Sequence, residues 1–259
     1  MRLLAVGDVC GKSGCDYLLK TLPSIKKEKG IDAVIVNGEN SAEGNGITPE
    51  SADLLFAAGA DVITGGNHSL RRKEVYDYLD SNPFILRPDN LPDEPSGKGY
   101  SLVDFGSFSM AVINLSGTVY LERVNAHNPF KSVDLLLEKA KADGAKITVV
   151  DFHAEATSEK KAMGFYLDGK VSVVFGTHTH IQTADEEVLE GGTGYITDLG
   201  MTGPKSSVLG VKTEIIINRL RDNDMSKFVF ADGECQLCGC IFDIDVNSGK
   251  CKFIERIKV

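Results

Sequence analysis

The sequence predicts an α/β protein in which two sheets pack face to face with helices outside them. Two observations predict it. Short β-branched runs alternate with helix-periodic segments as far as residue 175, and the chain beyond is richer in strand-like runs. Run after run also ends in carboxylate, amide or imidazole groups beside glycine, at the strand ends where open α/β sheets hold their ligands.

Residues 2–6 read as the first strand, ending in Gly7-Asp8-Val9-Cys10-Gly11. Gly7 and Gly11 permit a tight turn into a helix whose apolar positions are Leu18, Leu19, Leu22 and Ile25. A second strand, 33–36, ends in Asn37-Gly38-Glu39-Asn40. Thr48 is placed to cap a helix with Pro49 at its first position, running through Leu54, Leu55 and Ala58. The third strand, 60–64, ends in Gly65-Gly66-Asn67-His68. A helix over 71–79 and a short strand over 84–86 follow, and the proline-rich stretch from Pro88 to Pro95 reads as a surface crossing.

Residues 100–105 and 108–115, parted by Gly106-Ser107, read as a hairpin. His127 lies in an irregular stretch and reads as a loop residue, not a ligand. A helix through Val133, Leu136, Leu137 and Ala140 leads to a strand over 146–150, which ends in Asp151-Phe152-His153-Ala154-Glu155-Ala156-Thr157. Thr157 or Ser158 can cap a helix to Met163. The apolar run 171–175 delivers Gly176-Thr177-His178-Thr179-His180 to the same kind of position. Residues 194–198 precede a glycine-rich loop over 199–204, which can serve function or simply turn the chain. Antiparallel strands are expected over 227–232, 237–246 and 251–258.

Composition bounds the partners. The chain has 259 residues, and nothing in it forces a division, so a single domain over 1–259 is expected. A net charge of -9 argues against general binding to a nucleic-acid backbone. It leaves room for a small phosphate ligand, because bound cations reverse the local sign of the potential. The N-terminal apolar run is too short for a signal peptide or a membrane span. Six cysteines in that context read as reduced thiols, and a cytoplasmic location with no membrane partner is expected. Cys235, Cys238, Cys240 and Cys251 lack the paired spacing of a zinc site and read as packed side chains.

Collected, the strand-end groups are Asp8, Glu39, Asn40, Asn67, His68, His153, His178 and His180. Mixed carboxylate, amide and imidazole donors suit iron, manganese or zinc, whereas a calcium or magnesium cage uses oxygen almost alone. The order Gly7-Asp8, Glu39, Gly66-Asn67-His68, His153 and Gly176-Thr177-His178-Thr179-His180 resembles the calcineurin-like metallophosphoesterases. Two departures stand out: Asp8-Val9-Cys10 replaces the usual Asp-x-His, and Gly38-Glu39-Asn40 replaces the usual Gly-Asp. Both are similar to the YmdB-like branch, as are the Asn-Gly-Glu-Asn, Asp-Phe-His-Ala-Glu-Ala-Thr-Ser-Glu-Lys and Asp-x-Gly-Met-Thr-Gly-Pro stretches, so the resemblance covers nearly the whole chain.

The resemblance implies a four-layer αββα sandwich of two mixed β-sheets. It implies a cytoplasmic bacterial phosphodiesterase with two metal ions per chain, iron first and manganese or zinc as alternatives. The implied substrate is a small phosphodiester such as a 2',3'-cyclic nucleotide, and the implied assembly a homo-oligomer. Glu39 would bridge the ions, Asp8 and His180 with Asn40 would complete one site, and Asn67, His153 and His178 the other. The implied chemistry is attack by a metal-bridging hydroxide, with His68 protonating the leaving group. Cys10 is expected to pack rather than ligate. The rival expectation is a regulatory or scaffold protein that keeps the metal site and acts through a protein or RNA partner; an intact His68 speaks for the enzyme.

Overall fold

The computed structural model describes residues 1–92 and 96–259. In chain order the first half contains β1 (Arg2–Val6), β2 (Asp8–Val9), α1 (Gly11–Lys29), β3 (Ala33–Asn37), α2 (Pro49–Ala58), β4 (Val62–Thr64) and α3 (Tyr76–Ser81). Then come β5 (Tyr100–Asp104), β6 (Ser109–Ser116), α4 (Pro129–Ala142), β7 (Ile147–His153), α5 (Thr157–Leu167) and β8 (Val173–Thr177). The remainder is β9 (Glu187–Val188), β10 (Gly194–Ile196), β11 (Met201–Pro204), α6 (Thr213–Asp222), β12 (Cys235–Gln236), β13 (Cys238–Ile244) and β14 (Cys251–Lys258).

Two mixed sheets form the centre, with strand orders β14-β13-β1-β3-β4 and β5-β6-β7-β8-β10-β9. Alternation along each strand builds the layers, because successive side chains point to opposite faces. Leu4, Val6, Val34 and Val36 pack under Leu18 and Leu22 of α1 and Leu55 of α2. Their neighbours Leu3, Ala5, Ala33 and Ile35 face the other way, onto Val112, Val149, Val173 and Phe175 of the second sheet. That sheet's far face, with Ile113, Val150 and Val174, packs under Val133 of α4 and Met163 of α5. Three apolar layers between helix, sheet, sheet and helix are the αββα sandwich that the sequence led us to expect.

The central pairs β1–β3–β4 and β6–β7–β8–β10 are parallel, so their C-terminal ends gather on one edge. Every strand-end motif lies there. A third, small sheet, β12-β11-β2, is the glycine-rich stretch put to use. β11 pairs with β2 in parallel, setting Met201 beside Asp8. Gly7 makes this approach possible: a Cβ there would stand 2.1 Å from the Gly200 carbonyl oxygen.

Thr48 caps α2 as expected, with Ser51 completing a reciprocal capping box and Pro49 in the first turn. Other expectations need correction. Residues 84–86 form no strand; Ile85 makes one isolated bridge to Ile63. Residues 227–232 likewise give only the bridge from Phe230 to Val211, because that stretch packs on a loop and not along a sheet edge. The 71–79 helix divides into a 3-10 turn, Lys73–Val75, and the short α3. Helix α5 begins at Thr157, with Ala156 at its cap and no side-chain bond there. Helix α6, with no buried residue, was not anticipated. Of the Pro88–Pro95 crossing, residues 93–95 lie outside the described residues. Among the described residues no helix is long and apolar enough to cross a membrane.

Candidate metal centre

At the gathered strand ends Glu39, His153 and His178 place donor atoms within 4.8 Å of one another. His153 Nε2 is the hub, 3.0 Å from Asn67 Oδ1, 3.1 Å from His178 Nδ1 and 3.4 Å from Glu39 Oε1. The backbone makes room for this convergence at Gly66, where a Cβ would sit 2.2 Å from His153 Nε2 and 2.3 Å from Glu39 Oε2. All four sequence-predicted residues of this group are therefore together.

Supports behind the ring nitrogens aim them. Thr177 Oγ1 donates to Asp151 Oδ1 at 2.7 Å, so toward His153 Nδ1, 2.9 Å away, it can only accept. That fixes a proton on Nδ1 and turns Nε2 inward. Burial opposes charge on the ring, but Glu39 and Asp8 outweigh it and raise His153, so a second proton on Nε2 is favoured until an ion displaces it. Asp151 is itself fully buried among Thr64, Asn37 and Thr177, and burial pushes its carboxyl up to about 6. On the other ring, His178 Nε2 lies 3.0 Å from Glu155 Oε2, leaving Nδ1 for the centre. Burial and the nearby His153 push His178 down to about 3, so it is neutral, as a ligand must be.

The second group comprises Asp8, Asn40 and His180. Asp8 is fully buried; its Oδ2 accepts from the His178 backbone N–H at 3.1 Å, and its Oδ1 has no hydrogen-bond partner among the described residues. His180 Nε2 stands 3.6 Å from that Oδ1 and 3.3 Å from Asn40 Nδ2, while its Nδ1 reaches the Leu209 carbonyl at 3.2 Å. Asn40 Nδ2 also donates to Glu39 Oε1 at 2.9 Å. Glu39 thus touches both groups, and its Oε2 accepts the His68 backbone N–H at 2.9 Å.

Charge follows this geometry. Burial alone would raise the Glu39 carboxyl, but His153 and His68 outweigh it and hold it well below the usual range. Burial raises Asp8, with His180 only partly offsetting. Burial opposes charge on His180, yet Cys10 and Asp8 prevail and raise it to about 10. Cys10 Sγ lies 3.7 Å from His180 Nδ1, behind the ring and away from the Nε2 that faces Asp8, in keeping with a packed role.

His68 is set beside the donors. Its Nδ1 lies 3.0 Å from Asn40 Oδ1 and 3.3 Å from Glu39 Oε1, and its Nε2 has no hydrogen-bond partner among the described residues. It lines a cavity of about 340 Å³ together with Glu39, Asn40, His178 and His180. His127 is an exposed loop residue, and the C-terminal cysteines are buried free thiols.

The backbone of Gly176-Thr177-His178-Thr179-His180 is strained, with φ of 97° at His178 and 62° at His180. A buried ion pair holds it. Asp198 Oδ2 accepts from Lys160 Nζ at 2.7 Å and from Thr179 N and Oγ1 at 3.1 and 2.7 Å. Asp198, Lys160, Thr177, Asp151 and Glu155 are supports that residue-by-residue reading assigned no role, although all but Thr177 stand in the two longer stretches that carry the resemblance, and Thr177 stands within the Gly176-Thr177-His178-Thr179-His180 motif.

The donor set fits cations. Buried Asp8 Oδ1 lacks a partner, three inward-turned acceptors converge on His153 Nε2, and imidazole, carboxylate and amide are their chemistry.

The family described as YmdB-like protein matches residues 4–257. The chain belongs to that family. A 2',3'-cyclic-nucleotide 2'-phosphodiesterase from Bacillus subtilis (strain 168) is 44% identical over 259 residues, covering 100% of this chain and 97% of the relative. A hypothetical protein from Thermus thermophilus superposes with a TM-score of 0.92 at 36% identity, covering 100% of this chain and 99% of that one. A structure titled a novel phosphatase, from Mycoplasma pneumoniae, gives 0.94 at 34% identity, covering 100% and 93%. With these relatives, the YmdB-like chain is an enzyme of phosphoester hydrolysis on an αββα sandwich.

Proposed function

We propose that this enzyme is a dinuclear metal-dependent phosphodiesterase, and that 2',3'-cyclic nucleotides are its substrates, as the name of the Bacillus subtilis relative states for that protein. One observation carries the dinuclear reading: a single buried carboxylate, Glu39, contacts members of both donor groups. Asn67, His153 and His178 would hold one ion and Asp8, Asn40 and His180 the other, with Glu39 shared. Asn40 turns its nitrogen toward Glu39 and His180, so to ligate it presents its oxygen by a half-turn of the amide.

Bound ions supply an activated water and neutralise charge on the phosphoryl oxygens. The chain's own residues do the rest. Asp151 and Thr177 hold His153 in the tautomer that offers Nε2, and Glu155 does the same for Nδ1 of His178. The half-turn that presents the Asn40 oxygen to an ion would bring its Nδ2 to His68 Nδ1, which would then accept and keep the proton on Nε2, where it can pass to the departing ribose oxygen. Without that proton the leaving group would depart as an alkoxide.

The test combines metal analysis of the purified protein with assays on 2',3'-cyclic AMP and bis-p-nitrophenyl phosphate in added Mn²⁺. Two ions per chain and metal-dependent hydrolysis are expected. Metal with no turnover of either ester would overturn the phosphodiesterase reading.

A further inference from the structure

The cavity above the donor groups has a second lining of different chemistry. Residues 208–230 contribute Val208, Leu209, Val211, Ile216, Phe228 and Phe230, and none of these side chains carries a hydrogen-bonding group. This lining is framed, not loose. Val208 and Val211 exchange backbone hydrogen bonds at 2.9 and 3.0 Å, Lys212 N donates to the Val229 carbonyl at 3.0 Å, and Ala231 N to that of Gly210 at 2.8 Å. The His180–Leu209 contact ties it to the donor groups.

The two phenylalanines differ. Phe230 packs on Gly11, where a Cβ would meet its ring at 2.7 Å, so its position is part of the fold. Phe228 is 47% exposed and lines the cavity, with the Arg219 guanidinium 4.2 Å from its ring centroid. Arg219 is in turn held by the Ser226 carbonyl, which accepts from Nη2 at 2.7 Å. A half-exposed aromatic ring, stiffened by a cation and set at the mouth of a phosphate-directed centre, costs free energy if left to water. It is also the surface on which a planar base stacks.

We infer that the 208–230 lining, with Phe228 as its stacking face, takes the nucleobase of the substrate while its cyclic phosphate lies at the donor groups. This rests on the phosphodiesterase reading above. Asn45, Glu155 and Thr179 line other parts of the cavity, but the 208–230 side chains offer no donor or acceptor to a base edge. A base seated on them is therefore held by its π-face, and the chemical class is any ribonucleoside 2',3'-cyclic phosphate. Purine and pyrimidine esters should be taken alike, and a base-free ester poorly.

The test is steady-state kinetics on 2',3'-cyclic AMP, 2',3'-cyclic CMP and methyl riboside 2',3'-cyclic phosphate with the wild type, Phe228→Ala and Phe228→Tyr. Stacking on one aromatic residue corresponds to about 5- to 150-fold per base. Phe228→Ala should therefore lower kcat/KM for both nucleotides by about that much more than for the base-free ester, chiefly through KM, and Phe228→Tyr should restore it. Equal losses on all three esters, or no preference for nucleotides in the wild type, would overturn the stacking face alone. No turnover of any ester by the metal-loaded wild type would overturn the phosphodiesterase reading, and this inference with it.

Discussion

In the Asn67, His153 and His178 group both imidazoles have their outer nitrogens engaged by Thr177 and Glu155, and the inner atoms already converge. In the Asp8, Asn40 and His180 group, Asp8 Oδ1 accepts no hydrogen bond among the described residues, Asn40 presents nitrogen, and His180 is raised to about 10. One group has its donor atoms gathered in advance, although burial of His153 is outweighed by Glu39 and Asp8, which raise it and favour a proton that ligation must displace. The other must shed a proton from His180 and also turn an amide before it can ligate. The free energy of that reorganisation comes out of binding, so the first group should hold its ion more tightly.

The largest effect should come from the residue the groups share. Glu39→Ala should lose both ions and with them all metal-dependent turnover, read by elemental analysis of the purified variant. Two ions retained would break the shared-carboxylate assignment and leave two independent sites. Next is His68→Ala, which removes a side chain that is no ligand itself, although its Nδ1 lies 3.0 Å from Asn40 Oδ1 and 3.3 Å from Glu39 Oε1. It should keep both ions and lose about 10²- to 10⁴-fold in kcat, the range for a positioned general acid. A variant as fast as the wild type would remove His68 from the chemistry. Smaller and more selective is Thr177→Val, which removes the hydroxyl behind His153 while keeping its shape. Ligand supports of this kind are worth about 10- to 100-fold in metal affinity. The loss should fall on the His153 group alone, so equal weakening of both ions would show that the two groups are not separable.

The two groups were not equally legible in the sequence. Asn67 and His178 follow, and His153 ends, strands whose β-branched runs are plain, and a strand end says where a side chain lies. Asp8 could be placed in the same way, but its support comes from β11, a four-residue strand that reads as a glycine-rich turn. Short strands held by one neighbour leave no periodicity to detect. Asp198 and Lys160 stand in motifs whose pattern gives them no role, because a buried ion pair between residues 38 apart is a tertiary fact. The 208–230 lining was least legible. Helix α6 has no buried residue, so its pattern does not mark a core-facing stripe.

Protons give the finest test of the two His-x-His imidazoles, one on each group. His178, held at about 3, has no proton to lose at neutral pH. His180, at about 10, carries one, and Asp8 is raised in the same pocket. Ligation needs the neutral imidazole, so uptake of the second ion should expel the His180 proton to buffer. Calorimetric titration of the metal-free protein in buffers of different ionisation enthalpy counts it. The His180→Asn variant should release about one proton fewer than the wild type over the whole binding reaction. The sign with pH is also set: the proton is present below about 10, so the release should hold from pH 7 to 9 and fade as the pH approaches 10. Over that window each unit of falling pH should weaken the second ion about tenfold per proton released, while His178 adds nothing to the slope. A release unchanged by His180→Asn would mean that His180 enters the site neutral, leaving the half-turn of Asn40 as what sets the second group apart from the first.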